Sequence, residues 1–174
     1  FGIDWGYAEL SASESKEGVL KIRISTGEKS RVATEKAKKI CAVSENQMAV
    51  LHMECINEDE VIDNVGMSAV QAKYWITLYD TEEGKKQWSS VPYTVSGYTI
   101  PETLLLRDME INGELKKVLV VSVKDRIQLI DAENGTVIRE GIFREDIVNV
   151  VQADKRRLLV GLSDGSVMLS LIHI

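Results

Sequence analysis

The chain has 174 residues, 44% of them hydrophobic, and a formal net charge of −6, enough apolar material for a packed core rather than a disordered segment. Its 21 basic residues are scattered rather than gathered into a face, which excludes the positive footprint that nucleic-acid binding requires. Two cysteines, Cys41 and Cys55, fall far below disulfide-scaffold density and suit a reducing, cytoplasmic-type compartment, and no apolar run approaches the roughly eighteen residues of a membrane span.

The chain opens on Phe1-Gly2-Ile3 without a methionine, leaving room for a targeting segment, an anchor or a further domain upstream. From there the apolar stretches are mostly four to eight residues long, β-branched and bounded by turn residues, the pattern of strands. Leu20-Lys21-Ile22-Arg23-Ile24, closed by Ser25-Thr26-Gly27-Glu28, is the first strand-and-turn unit. Lys39–Val43 and Gln47–Glu54 follow as two strands. Next comes an acidic stretch, Ile56 to Gly66, with Met67 to Ala72 after it. It is expected to be a loop insertion over 56–72, with one helical turn at Ser68 to Lys73. Tyr74-Trp75-Ile76-Thr77-Leu78-Tyr79 then ends on Asp80, Gly84 and Trp88.

Thr103–Leu106 is a short apolar strand, and Val118–Val123, Lys124-Asp125 and Arg126–Asp131 form strand, tight turn and strand. Asn134-Gly135 predicts a type I′ turn into Thr136–Arg139. Ile147–Val151 and Arg157–Leu162 lead to the Ser163-Asp164-Gly165-Ser166 hairpin and a last strand from Val167. The final residues, 169–174, resemble the translation of a transposon-derived sequencing adapter, which would make this end non-native, while the alternation through Val167, Leu169 and Leu171 equally suits a genuine strand.

Repeats decide the expected architecture. Ile127 and Val167 occupy matching places 40 residues apart, and Asp80 and Asp131 do so 51 residues apart. A period near forty is that of a propeller blade of four antiparallel strands. The expected fold is therefore all-β, a partial β-propeller with blades at 5–34, 38–91, 103–140 and 147–168, about two complete and two partial, each starting with a short innermost strand.

Leu78-Tyr79-Asp80-Thr81-Glu82-Glu83-Gly84-Lys85-Lys86-Gln87-Trp88 resembles the repeat signature of pyrroloquinoline-quinone-type propellers, and Leu129 to Arg139, with Asp131 and Gly135, is similar to a second copy without the tryptophan. Asp164-Gly165 also resembles the hairpin of WD-repeat blades, although no Trp-Asp or Gly-His pair occurs. The resemblance implies architecture: many quinoprotein-like propellers bind no quinone and act as scaffolds. The residues have structural reasons of their own. Aspartate accepts hydrogen bonds from turn amides, glycine supplies positive φ, and an outer-strand tryptophan packs between blades.

No catalytic residue, cofactor site or metal site is assigned. His52 lies in a strand with alternating neighbours, where a packing role outweighs ligation with Glu54 and Cys55; His173 falls within the adapter-like end. Glu58, Asp59, Glu60 and Asp63 lack the alternate-residue spacing and turn glycine of a calcium loop. They are instead the candidate partner-binding insertion. Asn134-Gly135-Thr136 matches a glycosylation acceptor, but a turn accounts for it. Trp5, Trp75 and Trp88 are expected to pack between blades.

The expected function is a non-catalytic propeller module, part of a larger protein, that presents loops or a channel rim to a protein or peptide partner. The alternative is part of a quinoprotein-like enzyme whose active site lies outside this stretch. A terminal part-blade exposes apolar surface and strand edges, so the isolated chain is expected to aggregate or to be marginally stable.

Overall fold

The computed structural model describes residues 5–9, 18–32, 34, 36–57 and 70–171. The chain is all-β, built of antiparallel sheets of three to five strands in the manner of a partial β-propeller. It divides into two compact units, 1–96 and 97–174.

In the first unit, β1 (Trp5–Glu9), β2 (Val19–Arg23) and β3 (Lys29–Val32) form a three-stranded sheet. The second sheet contains β4 (Ala37–Ser44), β5 (Gln47–Asn57), β6 (Val70–Asp80) and β7 (Lys85–Ser89), with β8 (Tyr93–Gly97) also paired to β6. Alternation places Val19 and Val32 on one face of the first sheet, where they pack with Met48, Val50 and Tyr79 of the second.

In the second unit, β9 (Glu102–Ile111), β10 (Glu114–Val123), β11 (Arg126–Asp131) and β12 (Val137–Ile142) form a four-stranded sheet. A three-stranded sheet of β13 (Ile147–Asp154), β14 (Arg157–Leu162) and β15 (Val167–Leu171) follows. Met109, Val118, Val120, Ile127 and Leu129 on one sheet enclose a core with Ile147, Val150, Leu158, Val160 and Leu162 on the other. Burial of such side chains is the main source of stability here.

Several expectations change. The first strand of each later sheet is not short: β4, β9 and β13 run for 8, 10 and 8 residues. β9 continues through charged Arg107, Asp108 and Glu110 because Met109 and Ile111 keep the buried alternation going. Asn112 and Gly113, with φ of 53° and 80°, then reverse the chain directly into β10, and it is here that the two-residue, doubly positive-φ turn occurs. At Asn134-Gly135 only Gly135 has positive φ. The turn is longer than type I′ because it is already closed at Asp131, and a register shift between Leu129 and Ile130 accommodates the extra residue.

The insertion is shorter than 56–72. Pairing of Cys55 with Ala72 and Asn57 with Gln71 carries the ladder outward on both sides, so Val70–Lys73 are strand rather than a helical turn. Cys55 is exposed there. The stretch before residue 102 also holds a strand: β6 is 11 residues and β7 only 5, and β8 pairs with β6 as well. Ser90 anchors that switch, its amide donating to the Ile76 carbonyl at 2.8 Å and its hydroxyl accepting from the Ile76 amide at 2.9 Å.

Candidate interaction loops

The motif residues build the loops at the sheet ends. In the β6–β7 loop, Asp80 Oδ1 accepts from the amides of Glu82 and Glu83, each at 2.9 Å, and Gly84 turns the chain at φ 67°. In the β11–β12 loop, Asp131 Oδ1 accepts from Glu133 at 2.9 Å and Asn134 Oδ1 from Thr136 at 2.9 Å. The buried Asp131 carboxylate also meets Lys116 Nζ at 3.3 Å. Each aspartate therefore satisfies amides that a strand ladder leaves unpaired. Trp88 lies half-buried on β7 opposite Leu78.

Asp164 and Gly165 do a similar job at a different place. Their loop joins β14 to β15, the second strand of a sheet to the third, whereas Asp80 and Asp131 start loops from the third strand to the fourth. Asp164 Oδ1 accepts from the Ser166 amide at 2.8 Å, and the Ser166 hydroxyl and amide together hold its carboxyl below its ordinary value. The motif residues thus occupy two ends of their sheets. Glu58, Asp59, Glu60 and Asp63 lie outside the described residues; β5 ends before them at Asn57 and β6 begins after them at Val70, with Ile56 and Val70 exposed.

Charge at these ends is locally paired. Hydrogen bonding from Lys36, then its charge and that of Lys73, holds Glu54 below the ordinary carboxylate value near the root of the insertion. The amide of Glu83 is the chief cause of the lowered Asp80 value. Arg157, followed by the Arg156 amide, lowers Asp154 in the β13–β14 turn. Arg156 itself bonds Glu110 on β9 and lowers that carboxyl. The Lys155 carbonyl accepts from the Glu110 amide at 2.7 Å, and Gln152 Nε2 donates to the Asp108 carbonyl at 2.9 Å, tying the two sheets of the second unit together.

His52 pairs across strands with Trp75 and stacks on it, with ring centroids 4.9 Å apart and planes 11° from parallel. Tyr79 lies 6.1 Å away. The histidine is buried, and no group of three or more potential metal-ligating side chains occurs among the described residues. Lys21, which looks like a solvated strand residue in the sequence, is buried on the face of Val19 and donates to Thr81 Oγ1 at 2.8 Å. Its sequence signal is its place: two residues after Val19, it must point the same way.

Gly161-Leu162-Ser163-Asp164-Gly165 spells Gly-x-Ser-x-Gly. A nucleophile elbow requires a strand-to-helix turn, whereas this segment joins two strands, and exposed Ser163 donates to Glu145 Oε2 at 3.4 Å. The pattern here is hairpin chemistry.

No family model matches the chain, and no curated protein matches it. Among solved structures the chain is similar to BamB from Moraxella catarrhalis, at 10% identity and a TM-score of 0.31, over 97% of this chain and 70% of that one.

Proposed function

We propose that the chain is a non-catalytic β-propeller interaction module, with blades at about 5–34, 38–91, 103–140 and 147–168, that binds a protein or peptide partner through loops at the ends of its sheets. The observation that carries this reading is the internal closure of those loops. Asp80 and Asp131 satisfy the turn amides, so Glu82, Glu83, Glu133 and Asn134 are displayed exposed on a fixed backbone. A loop held in one conformation loses less entropy on binding. The acidic insertion containing Glu58, Asp59, Glu60 and Asp63 adds a charged element that suits a basic or polar partner.

The experiment is affinity capture with the whole protein and with a variant lacking residues 58–69. A specific partner retained by the first and lost by the second is expected; identical retention would place binding elsewhere. The quinoprotein-like alternative, motivated by Asp80, Gly84 and Trp88, predicts a thermal shift on adding quinone and calcium. Absence of any shift argues against it.

A further inference from the structure

Leu78 and Trp88 stand opposite each other on β6 and β7, and the ladder skips one residue directly after this pair. Leu129 and Arg139 stand opposite each other on β11 and β12, again with one residue skipped directly after the pair. Leu129 follows Leu78, and Arg139 follows Trp88, by the same 51 residues that separate Asp80 from Asp131. Arg139 therefore occupies, in the second copy of the repeat, the place that Trp88 occupies in the first. Directly paired residues share a face, and the face of Leu129 is the one that packs on β13 and β14. The exchange of tryptophan for arginine thus falls at the border between two packed sheets of the second unit.

At that border lies a cleft of about 220 Å³, floored by buried Ile127, Leu129 and Leu158 and walled by Arg139, Gly141 and Phe143. Glu140 also borders it and is ion-paired with Arg126 at 2.6 Å. Gly141 pairs with Ile127 and lies on the same face as Arg139, two residues before it. A Cβ there would come 3.4 Å from Ile127 Cγ2 and 3.9 Å from Phe143 Cε2, so the lack of a side chain at Gly141 extends the space beside the missing ring. An apolar cavity of about 150 Å³ takes a benzene ring, whereas pockets for drug-sized ligands start near about 300 Å³. The cleft therefore matches one aromatic side chain. The tryptophans of β6 and β7 are engaged elsewhere, Trp75 on His52 and Trp88 opposite Leu78.

We propose that this cleft is a docking site for one aromatic side chain, tryptophan above all, carried by an extended segment of a partner protein. The ring takes the place that Trp88 holds in the first copy of the repeat. Leu129, Leu158 and Phe143 supply apolar and aromatic contact, and exposed Arg139 can lay its guanidinium over the ring. What favours a residue borne on a chain over a free aromatic molecule is β12, the edge strand of its sheet. An edge strand offers backbone groups to an extended segment, and those bonds add to the hold on the ring. The proposal rests on the reading of the chain as an interaction module and adds a contact away from the sheet-end loops.

The test is titration of the whole protein with a short serine- and threonine-based peptide carrying one central tryptophan, followed through the protein's amide NMR signals. The signals of Ile127, Gly141, Phe143 and Leu158 should move together, and leucine in place of the peptide's tryptophan should weaken binding about tenfold. Gly141→Leu fills the cleft from an added Cβ at ordinary contact distance and should weaken binding of the tryptophan peptide about tenfold or more. Arg139→Trp supplies the ring from within the chain. It should block the peptide to the same degree and raise the melting temperature, which loss of an arginine contact alone would not do. Still signals at these four residues with millimolar peptide, equal binding of the leucine peptide, tighter binding of N-acetyltryptophanamide than of the peptide, undiminished binding by both variants, or a lowered melting temperature of Arg139→Trp would overturn the proposal. Deletion of residues 58–69 leaves this cleft in place, so loss of loop-partner capture and loss of tryptophan binding are separate outcomes.

Discussion

Gly135 donates its amide to the Asp131 carbonyl at 2.9 Å, while the Asp131 amide donates to Thr136 at 2.9 Å. The same pair of bonds recurs in the β2–β3 loop, where Gly27 donates to Arg23 and Arg23 to the Glu28 carbonyl, both at 2.8 Å. Arginine thus stands where the later loop has aspartate, and the backbone turn is unchanged. The glycine and the closing hydrogen bonds set the turn; the aspartate adds bonds to the amides within it.

Gly84→Ala should destabilise the first unit by about 1 kcal/mol, the cost of holding an L-residue in the left-handed region. No neighbour lies within 4 Å of the added Cβ, so clash contributes nothing. Urea denaturation with an unchanged slope checks the value; an unaltered midpoint would remove the conformational argument.

The Lys21–Thr81 bond links the first two sheets. Thr81→Val withdraws one acceptor from a buried ammonium and should cost about 1–3 kcal/mol. Lys21→Met removes the charge together with its need for partners and should be milder, close to neutral. Thermal melts of the two variants test this ordering.

Leu158 is buried at the contact between the two sheets of the second unit. Leu158→Ala should cost about 2–5 kcal/mol through lost burial and a residual cavity. Amide hydrogen exchange should report the loss in β9–β15, where that core lies. A uniform loss across all fifteen strands would mean that the two units unfold together.

Acid should destabilise the fold through its turns. Asp80, Asp154 and Asp164 all sit below their ordinary value of 3.8, so near and below that pH the unfolded chain binds more protons than the folded one. Their contribution is complete above the unfolded value and is lost as pH falls through the lower folded values. Asp80→Asn retains an accepting oxygen but removes one titration, so the acid limb of stability against pH should flatten. An identical limb would show that Asp80 is not part of it.

Alternation and turn chemistry specify the strands locally, as at Val118–Val123 and at the Asp80, Asp131 and Asp164 hairpins. A period of forty then makes an all-β repeat architecture legible. Local pattern reaches less far where a strand contains charge. The apolar run Thr103–Leu106 marks only part of β9, which continues through Arg107, Asp108 and Glu110 to the Asn112-Gly113 turn. The acidic insertion could be recognised as an interruption of the repeat, but its bounds moved once the ladder paired Cys55 with Ala72.

What the sequence determined by itself is therefore the alternation of side chains, the turn residues and the repeat that relates Ile127 to Val167. Only the tertiary structure decided that His52 stacks on Trp75, that Lys21 is buried against Thr81, and that β8 joins β6. It also decided that Ile127 is covered while Val167 is not. The reason is physical: strand alternation sorts residues onto two faces, but burial depends on which other sheet comes to lie against each face, and that contact is made by residues distant in the chain.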